Sequence, residues 1–60
     1  MFARYKVRPE ISGWTVYDVL TSRPAAFNGL VLGGLDSKDA DKIVVFLNRL
    51  HAEASSSTLH

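Results

Sequence analysis

The sequence predicts an α+β fold: a three- or four-stranded antiparallel β-meander followed by one C-terminal α-helix packed on one sheet face. Three observations carry this. Residues 2–8 alternate between charged and apolar types, "WTVYDVL" at 14–20 is dense in aromatic and β-branched residues, and residues 36–54 carry apolar side chains at helical spacing.

The alternation puts Arg4, Lys6 and Arg8 on one side with Phe2, and Ala3, Tyr5 and Val7 on the other. Pro9 cannot donate to a ladder, so this strand ends there or runs along an edge. Gly13 breaks the chain before residues 14–20, whose two faces are both largely apolar, as expected of a central strand. "TSRP" at 21–24 is a turn signal. A third strand is expected at 25–28. Asn28-Gly29 then favours a type I′ hairpin leading to a short fourth strand at Leu30–Leu32, or else a bulge in a longer third one.

Gly33 and Gly34 close the strand region, and Asp36 is a good helix N-cap. At about 100° per residue, Ala40, Ile43, Val44, Leu47, Leu50 and Ala54 form one stripe. The helix is expected to fade after Leu50. Residues 1–54 should make a single domain and "SSSTLH" at 55–60 a disordered tail.

Sixty residues give a marginal core. The chain has no cysteine, which removes disulfides, thiolate metal sites and thiol chemistry together. Disulfides and metals being absent from this reading, a second subunit is the remaining common support for so small a domain. The net charge of +1 argues against a dedicated polyanion binder. No apolar run approaches the roughly 20 residues that span a bilayer, and the basic N-terminal residues are not followed by the apolar stretch of a signal peptide, so the cytoplasm is the expected compartment.

No constellation for catalysis emerges. His51 and His60 are too few for an ordinary histidine zinc site, and Ser55, Ser56 and Ser57 stand where nothing would orient a nucleophile. Asp36, Asp39 and Asp41 follow two glycines at the helix start, but three carboxylates would repel a phosphate there. They also miss the spacing of a calcium loop, so capping accounts for them. The expectation is a non-enzymatic protein with no cofactor, no metal and no small-molecule substrate.

Two surfaces remain. Val45 lies nearly opposite the centre of the helix stripe and Phe46 about 100° from it, so neither can be fully buried against the sheet. With Lys42 and Arg49 as a charged rim, they point to a protein contact, most directly a homodimer. A regulatory partner of a larger protein is the related possibility. The competing surface is the basic comb Arg4, Lys6 and Arg8, with Tyr17 or Trp14 available for base stacking, which would make a small nucleic-acid-binding module. That arrangement is similar in architecture to integrase arm domains and plant AP2 domains, and architecture alone carries no function. The plainer account of the comb is a wet sheet face that discourages edge pairing.

Residues 13–50 also resemble a group of small, functionally uncharacterised bacterial proteins. These share a W-T-V-x-D strand, a T-x-R-P-A turn, N-G, and G-L-D leading to a helix that ends in L-N. The resemblance implies no activity and no site residues. With the initial Met1, it favours a free-standing protein.

Overall fold

The computed structural model describes residues 3–57. Strands β1 (Tyr5–Glu10) and β2 (Gly13–Asp18) form an antiparallel pair, in register from Tyr5 opposite Asp18 to Glu10 opposite Gly13. β1 starts later than the alternation indicates and runs through Pro9; Phe2 lies outside the described residues. Proline is accommodated because β1 is an edge strand, in a sheet of order β1-β2-β3.

β2 is the central strand, as its two apolar faces predict, but it stops at Asp18 and not at Leu20. The Asp18 carbonyl accepts the Ser22 N–H at 2.9 Å, and its carboxylate accepts the Leu20 N–H at 3.0 Å. Val19 and Leu20 are therefore turn residues. A side-chain acceptor that competes with the ladder outweighed their strand propensity.

The turn expected at 21–24 is confined to its first half: Arg23 and Pro24 are already strand, and only Ala26–Phe27 of the strand expected at 25–28 is strand. β3 (Arg23–Pro24) pairs with β2, while β4 (Ala26–Phe27) pairs with β5 (Leu30–Val31) in a separate hairpin. Ala25 is the hinge between them. Its N–H donates to the Val16 carbonyl at 2.8 Å and its carbonyl accepts the Leu32 N–H at 2.9 Å. The Val16 N–H in turn donates to the Leu32 carbonyl at 2.9 Å. The sheet forks at this ring: the chain leaves β2, makes the hairpin, and returns to β2. Trp14 and Leu35 extend the return with a reciprocal pair at 2.8 and 3.0 Å. At the hairpin tip Asn28 and Gly29 have φ of 52° and 81°, the two left-handed residues a type I′ turn requires.

Helix α1 spans Ser37–Ser57, and the Asp36 carbonyl accepts its first bond, from the Ala40 N–H at 2.9 Å. The expected end near Leu50 is wrong. No glycine or proline follows, Ala52 and Ala54 are good helix formers, and the helix continues through three of the six residues read as tail. Residues 58–60 lie outside the described residues.

A helix of 21 residues is about 31 Å long, whereas the six residues of β2 cover about 20 Å. The helix therefore overhangs the sheet. Of the predicted stripe, Ala40 and Leu47 are buried and Ile43 and Val44 half-buried, but Leu50 and Ala54 are exposed. Among the described residues the buried apolar core is small: Val16, Ala25, Ala40 and Leu47. Tyr5, Val7, Trp14, Leu32 and Leu35 pack around it with Ile43 and Val44.

Candidate protein-interaction surface

The two sides of α1 do different work. Phe46 and Asn48 stand about 200° apart around the helix axis, on opposite flanks of the Leu47 stripe. Asn48 faces β1. Its Oδ1 accepts the Tyr5 N–H at 2.8 Å, and its Nδ2 donates to the Tyr5 carbonyl at 3.0 Å. Phe46 faces the hairpin, where its ring meets Phe27 edge-to-face, centroids 6.0 Å apart and planes at 83°.

This aromatic pair is not sealed. Phe27 is 41% exposed and Phe46 49%. Leu30, directly across the hairpin from Phe27 and on the same face, is 69% exposed. Leu50, one turn along from Phe46, is 40% exposed. The four side chains make one apolar surface spanning the hairpin and the helix. The sequence indicated Phe46 but missed Leu30 and Leu50. The signal for Leu30 was present in Asn28-Gly29, since a two-residue turn sets the residues before and after it face to face.

Val45 is also exposed, with Lys42 and Arg49 three positions before and four after it. These three residues occupy the outer side of α1, adjoining Phe46 without facing the hairpin. The structure thus separates Val45 from Phe46: one belongs to the rim with Lys42 and Arg49, the other to the patch. Val31 sits on the opposite hairpin face with Ala26. Ile11 at one turn and the neighbours Val19 and Leu20 at the next are exposed, which is ordinary for turn residues.

Arg4 and Arg8, two of the three residues of the basic comb, are engaged within the chain. Arg4 donates to Asp18 from Nε to Oδ1 at 3.1 Å and from Nη2 to Oδ2 at 2.9 Å, and its guanidinium lies 5.3 Å from the Tyr5 ring centre. The Arg8 guanidinium lies 4.7 Å from the centre of the Tyr17 ring and covers one of its two faces. The Tyr17 hydroxyl donates to the Ser22 carbonyl at 2.9 Å. Lys6 is exposed opposite Tyr17. Trp14, the other stacking candidate, packs against the core. Beside Arg8, the sheet face closes over Thr15, which is buried and donates to Glu10 Oε1 at 3.0 Å.

Among the described residues, no three metal-ligating side chains come together, and no helix is long and apolar enough to cross a membrane. Comparison of the chain with protein-family models, with curated proteins and with solved structures finds no match. The functional reading therefore stands on the surface itself.

Proposed function

We propose that this chain works by contact with another protein chain, and that it self-associates as a two-fold dimer through the Phe27–Phe46 face. The observation that carries this reading is the half-exposed aromatic pair, continued by Leu30 and Leu50. A two-strand hairpin of two-residue strands is marginal in water, and here it presents large apolar side chains to solvent. Among the described residues the buried apolar core is four side chains, two of them alanines, which gives the hairpin little support from within.

Area favours a second copy as the occupant. The accessible surface is 4621 Å², against about 3,900 Å² for a compact monomer of 6.6 kDa. The helix overhang contributes to the difference. The whole difference, about 700 Å², is within what one partner buries in a standard interface, about 800 Å². Two-fold pairing would use the same patch twice and lend each hairpin a surface to pack on. Lys42, Val45 and Arg49 border the contact.

The test is absolute molar mass by light scattering across a dilution series. The expected mass is near twice 6.6 kDa, falling to the monomer value in Phe46→Asp with the helical circular dichroism retained. A wild-type chain that is monomeric throughout, or a Phe46→Asp variant with unchanged mass, rejects the dimer.

A further inference from the structure

The outer edge of β1 is a second place where two copies could meet, and its main-chain groups can be assigned from the ladder. Val16 spends its N–H and carbonyl on Leu32 and Ala25, and Trp14 spends both on Leu35. Their partners across the strand pair, Val7 and Pro9, are therefore non-hydrogen-bonded positions whose own main-chain groups point outward. Tyr5 shares that parity, as its bonds to Asn48 show. The edge thus offers the N–H and carbonyl of Tyr5 and Val7, and the carbonyl alone of Pro9.

The occupant that fits this edge is β1 of a second copy, antiparallel about a two-fold axis at Val7. In that register Val7 exchanges two bonds with its counterpart, and each Tyr5 N–H reaches the opposite Pro9 carbonyl, for four bonds in all. Asn48 already holds the Tyr5 N–H in both copies, so two of the four are lost. The same register sets Lys6 opposite Arg8 on the exposed face, like charge against like.

We propose that Asn48 is the guard of this edge: its amide stands in for one rung of a ladder and keeps β1 from pairing with β1 of another copy. Pro9, Lys6 and Arg8 reinforce the block, but they leave the Tyr5 rung open. Asn48 closes it from a position 43 residues away. The inference is independent of the helix–hairpin dimer, and its test is run in Phe46→Asp protein so that the two contacts are read separately.

Amide hydrogen exchange and light scattering are measured together. In the Phe46→Asp chain, the Tyr5 amide should exchange at least about tenfold more slowly than the Val7 amide, because among the described residues only the former has a partner. Adding Asn48→Ala should release the Tyr5 amide in dilute protein. At higher concentration it should produce an associated species in which the Val7 amide is protected. Adding Lys6→Glu as well, which turns the Lys6–Arg8 repulsion into attraction, should strengthen that association about tenfold.

Lys6→Glu with Asn48 intact should not associate through Val7. Association there would overturn the proposal, as would an Asn48→Ala chain that stays folded and monomeric with its Tyr5 amide released. Should Asn48→Ala fail to fold, the Tyr5-to-Val7 exchange ratio and the Lys6→Glu arm still decide. Equal exchange at the two amides rejects the guard.

Discussion

Arg4 clasps Asp18 through two hydrogen bonds, at 3.1 and 2.9 Å, fixing the chain that leads into β1 against the end of β2. The side chains are 29% and 10% exposed, so the pair is partly shielded from water. The bond from Arg4 holds the Asp18 carboxyl below its ordinary range. Desolvation opposes that shift, and the Leu20 N–H adds to it.

A depressed carboxylate stabilises the fold fully above the unfolded value, near about 3.9, and loses that contribution as pH falls through the lower folded value. The melting temperature should therefore be insensitive to this pair between about pH 7 and 5, then fall below about pH 4. Asp18→Asn should melt lower at pH 7 and show a shallower acid decline. Parallel curves for the two proteins from pH 6 to 2 would remove Asp18 from the acid response.

Two glycines with positive φ should respond differently to the same change. At Gly13, φ 135°, an added Cβ would meet Gly34 main chain at 2.9 Å and the Leu35 carbonyl at 3.0 Å, where the returning chain crosses the start of β2. At Gly29, φ 81°, nothing lies within 4 Å. Gly29→Ala should cost about 1–2 kcal/mol from backbone conformation alone. Gly13→Ala should cost more, by chemical denaturation, because main-chain atoms cannot step aside. Equal losses would mean that the crossing is looser than these distances require.

Leu47 and Leu50 share the predicted stripe but not the same fate. Leu47 is 6% exposed, and Leu47→Ala should cost about 2–5 kcal/mol of unfolding free energy. Leu50 is 40% exposed, and Leu50→Ala should cost under about 1 kcal/mol in dilute protein while weakening self-association. The two are separated by denaturation in dilute and concentrated samples. A Leu50 loss as large as that of Leu47 at high dilution would place Leu50 in the monomer core.

The Phe27–Phe46 contact should appear as a coupling. A double-mutant cycle to leucine at both positions should give about 0.5–1.5 kcal/mol beyond additivity. A coupling near zero would mean that the hairpin and the helix do not restrain each other.

Much of this architecture was legible because its signals are local. Asn28-Gly29 needs only its own two left-handed conformations to make the hairpin, and Asp36 needs only the next turn of chain to start the helix. The helix end was misread for an equally local reason. Leu50 closes the apolar stripe, but a stripe marks where a helix packs, and only a breaker marks where it stops. Residues 51–57 contain none.

By itself, then, the sequence determined the element types, the central place of β2 and the exposure of Phe46, all of which follow from residue chemistry within about one helical turn or one strand. The tertiary structure decided the fork at Ala25, the seating of Phe27 on Phe46, the diversion of Arg4 to Asp18, and the closing of the β1 edge by Asn48. Arg4 and Asp18 are 14 residues apart, and Tyr5 and Asn48 are 43 apart. No local preference encodes such pairs. Arg4 meets Asp18 because β1 pairs antiparallel with β2; Asn48 meets Tyr5, and Phe46 meets Phe27, because the helix has two flanks and the path of the chain sets β1 beside one and the hairpin beside the other.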